Sequence, residues 1–147
     1  TGKDFLEKGE QEYLNRLKHY AQVERIEIPD LKNAGKLSKE QIKLQEGKLL
    51  LDKINAGEQI VLLDEHGKQY SSLEFSEFLQ SSFNRGGKGL AFIIGGAYGF
   101  SDEAYAAATC KISLSKMTFS HQMVRMIFLE QLYRGFTILK GEPYHHE

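Results

Sequence analysis

The chain has 147 residues, with 19 Lys plus Arg against 20 Asp plus Glu, 41% apolar side chains and only 2 Pro, the profile of one soluble globular domain running over residues 1–147. This excludes a collagen, a disordered tail and a disulfide scaffold. Apolar runs such as residues 90–97 fall far short of the roughly twenty residues that span a bilayer, and no charged-then-apolar leader opens the chain, so the expected location is cytoplasmic.

The single Cys110 cannot form an internal disulfide, no Cys/His pairs stand at zinc spacing, and the thiol is expected to be a buried small hydrophobe. The near-neutral charge argues against tight binding of bare nucleic acid through phosphates alone. It leaves an RNA substrate open. Residues 1–84 carry 12 basic and 15 acidic side chains and residues 85–147 carry 7 and 5, a weak shift of sign toward the C-terminus.

In chain order, Phe5, Leu6, Gly9, Tyr13, Leu14 and Leu17 recur at spacings of three and four and predict an amphipathic helix over residues 4–20. Val23, Ile26 and Ile28, ended by Pro29, predict a short strand, and residues 31–37 a polar loop. Ser38 with Gln41 is a capping box that opens a second helix, stopped by Gly57. Residues 60–63 form a wholly apolar run suited to a strand buried on both faces, followed by a turn at Glu65, His66 and Gly67. Ser71 with Glu74 repeats the capping box ahead of a third helix. Residues 90–94 predict the most apolar strand, Ser101 caps a short alanine-rich helix, and residues 110–114 predict the last strand. Residues 120–139 predict a long helix with too many apolar positions for one covered side, from which a homodimer is inferred.

Strands alternating with helices specify an α/β fold with a parallel sheet. Such sheets bind ligands beyond the C-terminal ends of their strands, which directs attention to the loops after Leu63, Ile94 and Leu114. Gly95, Gly96 and Gly99 follow one of those strands without GxGxxG or P-loop spacing, so they are either a cofactor loop or a tight turn needing positive φ. Gly86, Gly87 and Gly89 with Lys88 precede their strand, at the wrong edge, and read as a flexible connection. The run Leu114, Ser115, Lys116, Met117, Thr118 and Phe119 can wrap a small amphiphilic ligand, or simply lead into the N-cap Ser120. On the long helix, Glu130, Arg134 and Thr137 share one side and His121, Gln122 and Arg125 lie roughly opposite. Glu130 with Arg134 is equally readable as a surface ion pair. The terminal Pro143 and Tyr144 suggest a docked tail.

The strings IIGGAYGF, SLSKMTFSHQMVR, EQLYRGFTI and GEPYHHE, together with LLDEHGK, closely resemble the RlmH (YbeA) family of the SPOUT methyltransferase superfamily across essentially the whole chain. The resemblance implies a three-layer α/β/α fold with a C-terminal trefoil knot. It implies S-adenosylmethionine-dependent methylation of N3 of a pseudouridine in large-subunit (23S) ribosomal RNA, on the assembled ribosome and as a homodimer, with no membrane or DNA partner. It places cofactor contacts on Leu63, Gly95, Leu114, Ser115, Lys116, Met117, Thr118 and Phe119. Glu130, Arg134, Tyr144 and His145 are the proposed substrate side, with His145 or Glu130 the candidate base. Family members begin with a short apolar strand and a glycine ahead of the first helix; this chain starts at Thr1, so that strand is expected to be missing. The competing class is a non-catalytic α/β nucleotide-binding or ribosome-associated module.

Overall fold

The structure is a computed structural model and describes residues 2–146; Thr1 and Glu147, the last residue of the tail motif, lie outside the described residues. It comprises helices α1 (Gly2–Leu17), α2 (Lys39–Asp52), α3 (Ser72–Asn84), α4 (Asp102–Ala107) and α5 (His121–Leu139), and strands β1 (Gln59–Gln69), β2 (Leu90–Ile94) and β3 (Cys110–Ser113). These fall into two compact units. One takes residues 1–25, 69–85 and 114–147, the other residues 26–68 and 86–113.

The second unit holds the sheet, in the order β2-β1-β3. β1 and β2 run parallel, with Gln59 opposite Leu90 and Leu63 opposite Ile94, which together with the flanking helices makes the α/β arrangement. Ile60, Val61, Leu62 and Leu63 are all buried. Successive side chains of a strand point to opposite faces, so four consecutive buried residues mean that neither face of this segment meets water. Ile60, Leu62, Ile93, Phe100 and Ala104 form one core cluster, with Leu50, Leu51 and Ile54 of the α2 region packed on it. Both expected capping boxes form: Ser38 accepts from the Gln41 amide at 3.1 Å while Gln41 returns to the Ser38 amide at 2.8 Å, and Ser71 and Glu74 do the same at 3.0 and 2.8 Å. Each such cap is worth about 1 kcal/mol, which is why these helix starts were readable.

The first unit packs α1 and α3 against α5. Leu17, Phe75, Leu79, Phe128, Leu129, Leu132 and Phe136 are its buried apolar residues, with Phe75 edge-on to Phe128 and Phe83 stacked on Phe136. The second half of α5 is covered in this way, whereas Met123, Val124 and Ile127 near its start are half-buried. On the opposite side from Glu130, Arg125 meets the buried carboxylate of Glu10 at 3.5 Å, and Arg25 meets it at 3.1 Å.

Three expectations are corrected. Residues 23–28 form no strand, and Ile26 is 48% exposed. A strand exists only through its ladder, and none of the three described strands pairs with this segment. The turn at Glu65, His66 and Gly67 is absent because β1 continues through it to Gln69. Gly67 serves close approach instead: a Cβ there would lie 2.6 Å from the Ile112 amide nitrogen and 2.7 Å from the Lys111 carbonyl carbon. The Gly86–Gly89 segment is a connection leading into β2, with the Lys88 amide donating to Gly57 at 3.1 Å and the Gln59 amide to Gly89 at 2.9 Å. Cys110 is only half-buried, because it opens an edge strand, where it lines an open cavity of about 520 Å³ with His66, Tyr105 and Lys111.

The Gly67 contact yields a measurable expectation. Gly67→Ala sets a methyl group against backbone that cannot swing away, so it lowers unfolding free energy by about 1–3 kcal/mol. Gly35→Ala, whose added methyl meets nothing within 4 Å, stays within about 0.5 kcal/mol of the parent. Urea midpoints of the two variants make the comparison, and equal midpoints would refute the close-approach explanation.

Candidate active site

Glu130, Arg134, Tyr144 and His145 come together in the first unit. Glu130 and Arg134 stand one turn apart on α5, and Arg134 donates from Nη2 to Glu130 Oε2 at 2.8 Å and from Nε to Oε1 at 3.4 Å. The Tyr144 hydroxyl donates to Oε2 at 2.9 Å, and Gln131 Nε2 to Oε1 at 2.9 Å. One carboxylate therefore collects four donors. The guanidinium also lies over the Tyr144 ring, 4.8 Å from its centroid, a cation–π contact that adds to the charge attraction.

His145 completes the cluster, its Nδ1 3.1 Å from Arg134 Nη1. An arginine can only donate, so Nδ1 must present its lone pair and the ring proton sits on Nε2. The arrangement also ranks the titrating groups. The hydrogen bond to Glu130 holds the Arg134 pKa above its ordinary value. Burial, reinforced by the Glu130 hydrogen bond, holds the Tyr144 phenol well above the usual tyrosine range. Glu130 is thus saturated with donors, and the site presents a fixed cation, a phenol and an imidazole, a set suited to stabilising negative charge on a planar oxygen-bearing group.

Leu63 and Gly95 come together in the second unit. Leu63 pairs with Ile94, and Gly95 is the next residue after β2. A Cβ on Gly95 would meet the Phe100 ring at 2.9 Å, so a side chain there must displace that ring, while one on Gly96 would meet the Glu46 carboxylate at 2.7 Å, the end of a flexible side chain that can move aside. Gly99 has φ +85° and its amide returns to Gly96 at 3.2 Å. The turn reading holds at Gly99, and the first two glycines lie close to Phe100 and Glu46. The Tyr105 hydroxyl donates to Asp64, just past Leu63.

The run from Leu114 to Phe119 follows β3 directly in the chain and is counted with the first unit. Leu114 and Ser115 are half-buried, Lys116 and Thr118 exposed, and Met117 and Phe119 are 75% and 37% exposed. The Met117 amide donates to Ser115 Oγ at 2.9 Å. Uncovered apolar side chains such as Met117 and Phe119 fit an adenosyl group in one respect, since its faces need apolar cover. His121 is exposed at the start of α5.

The family model described as predicted SPOUT methyltransferase matches residues 1–145. The chain belongs to the SPOUT methyltransferase family. Among curated relatives of this family member, the protein named ribosomal RNA large subunit methyltransferase H from Christiangramia forsetii is 56% identical over 146 residues, covering 99% of this chain and 93% of the relative. Proteins of the same name from Flavobacterium johnsoniae, 56% identical over 136 residues (92% and 87% covered), and Cytophaga hutchinsonii, 50% identical over 146 residues (99% and 94% covered), are also similar.

One long-range pair near the cluster escaped the sequence reading: Tyr20, whose hydroxyl donates to Glu142 at 2.5 Å, and Glu142 itself. No local spacing signals a pair separated by more than a hundred positions. The Glu142 hydrogen bond pushes the Tyr20 pKa up to about 12, and burial followed by the Asp64 hydrogen bond pushes Tyr105 up to about 12. With Tyr144 also raised, three of the 7 tyrosines resist ionisation. The folded state holds these protons more tightly than the unfolded chain, so the stabilisation is fully present below the unfolded value of about 10 and is lost as pH rises through about 12. Ultraviolet titration of the native protein is expected to find Tyr20, Tyr105 and Tyr144 still protonated well above pH 10 until the fold melts; ionisation of these three near pH 10, the ordinary tyrosine value, would contradict the geometry.

Proposed function

We propose that residues 1–147 form one SPOUT domain that methylates N3 of a pseudouridine in large-subunit ribosomal RNA, with S-adenosylmethionine as donor. The observation that carries this reading is the convergence of Arg134 and Tyr144 on the Glu130 carboxylate, with His145 on Arg134, in a chain whose relatives are named for methylating that RNA. Leu63, Gly95, Leu114, Ser115, Lys116, Met117, Thr118 and Phe119 are the residues proposed to hold the donor, which supplies a methyl group activated on a sulfonium. The family's trefoil knot, cytoplasmic location and action on the assembled ribosome belong to the same reading. So does a homodimer, supported by the half-buried Met123, Val124 and Ile127 of α5 and by Phe5, 67% exposed on α1.

The donor, when bound, would supply a sulfonium-activated methyl group to N3, which must give up its proton. Glu130 orients Arg134 rather than taking that proton, because its oxygens already accept from four donors. Arg134 stabilises the negative charge that spreads onto the ring's carbonyl oxygens. When such an oxygen replaces His145 on Arg134 Nη1, Nδ1 is released and can accept the N3 proton. The weakly basic C-terminal half suits recognition of the ribosome's shape above isolated RNA.

Transfer of tritium from labelled S-adenosylmethionine to ribosomes lacking the modification tests the reading, with the product nucleoside identified by mass spectrometry. Arg134→Ala and His145→Ala are each expected to lower turnover about 10²-fold with donor affinity by calorimetry essentially unchanged. Unchanged turnover in both removes them from the chemistry, and donor binding without any transfer by the parent chain favours a non-catalytic module.

A further inference from the structure

The tail that carries Tyr144 and His145 leaves α5 through a turn with an unusual residue in it. Gly141 takes φ +70°, its amide returns to Ile138 at 3.1 Å, and the Glu142 amide returns to Thr137 at 2.9 Å. These are the two hydrogen bonds of a Schellman motif, in which the residue after the left-handed glycine normally makes an apolar contact back to the helix. Here that residue is an acid. Its carboxylate accepts from Tyr20 at 2.5 Å, and the Tyr20 ring makes the apolar contact in its place, stacked on Phe136 at 5.8 Å between centroids.

Tyr20 touches none of the four cluster residues in these contacts, yet two routes join it to them. Through rings, it sits edge-on to Tyr133 at 5.9 Å, and Tyr133 sits edge-on to Tyr144 at 4.7 Å. Through hydrogen bonds, it holds Glu142, whose amide is bound by Thr137; Thr137 is wholly buried and donates its hydroxyl to the Arg134 carbonyl at 2.7 Å. Chain ends are poorly ordered unless tied down. Glu142, held by Tyr20 through its carboxylate and by Thr137 through its amide, ties the tail just ahead of Tyr144 and His145.

We propose that Tyr20 and Glu142 form a latch that positions the C-terminal tail so that Tyr144 and His145 meet Glu130 and Arg134 in the arrangement that turns over substrate. The latch rests on reading that cluster as the substrate side of a methyl-transfer site. Tyr20 is a positioning residue. Its phenol stays neutral, and therefore able to donate, throughout the physiological pH range.

The test uses the full chain on unmodified ribosomes. Tyr20→Phe keeps the ring stack and removes only the hydroxyl. It is expected to lower kcat on the order of tenfold while melting temperature and S-adenosylmethionine affinity stay at parental values. Glu142→Ala gives the same loss, the double variant loses no more than either single one, and Glu142→Gln, whose amide oxygen still accepts, recovers most of the activity. Arg134→Ala is measured alongside. Full turnover in Tyr20→Phe with Arg134→Ala inactive overturns the latch and leaves the site standing. Full turnover in both overturns the site reading and the latch with it. A loss in Tyr20→Phe that comes with weaker donor binding and a fall of many degrees in melting temperature also overturns the latch, since it reports general destabilisation.

Discussion

A strand with no wet face must satisfy every backbone group through its neighbours, and that constraint governs the sheet. Ile60, Val61, Leu62 and Leu63 are buried side by side, so β1 needs a ladder on each edge, and the order β2-β1-β3 supplies both. The parallel register with β2 then brings Leu63 and Gly95 to the same, C-terminal end of the sheet. Gly67 belongs to the same constraint, because the chain continues past the buried run so close to Ile112 and Lys111 that no side chain fits.

Charge is handled by a second economy, in which a few carboxylates each organise several donors. Glu130 gathers Arg134, Gln131 and Tyr144, and Glu10, 3% exposed, is matched by Arg25 and Arg125. A buried carboxylate needs such partners to remain charged. The difference between the two clusters is access. Arg134 and Glu130 keep about a fifth of their side-chain surface and share it with a tail histidine, whereas the Glu10 carboxylate is enclosed. One arrangement can exchange a hydrogen bond with an incoming oxygen, and the other is built to hold helices.

The tail shows how a functional group can sit on a segment that composition alone would leave frayed. Seven residues cannot build a core, but a left-handed glycine, a proline and an aromatic residue reverse the chain and lay Tyr144 against Tyr133. The turn costs little because Gly141 accepts φ +70° without a steric penalty, and its two returning amides satisfy carbonyls that the end of α5 would otherwise leave open.

What the amino-acid order determined by itself was local. Ser38, Ser71, Ser101 and Ser120 cap their own helices within three residues, the apolar run at residues 60–63 demands burial, and Glu130 and Arg134 lie one turn apart on any helix that contains them. The motifs shared with relatives added the family, through residues spread across the chain. Tertiary structure alone decided the rest. Residues 23–28 carry strand-forming side chains but no described strand pairs with them; Gly67, which reads as a turn, is a point of backbone contact; and Tyr20 finds Glu142 from the far end of the sequence. Capping and periodicity act over a few bonds and leave their mark in spacing, whereas ladders, close approaches and long-range hydrogen bonds depend on which distant surfaces folding brings together.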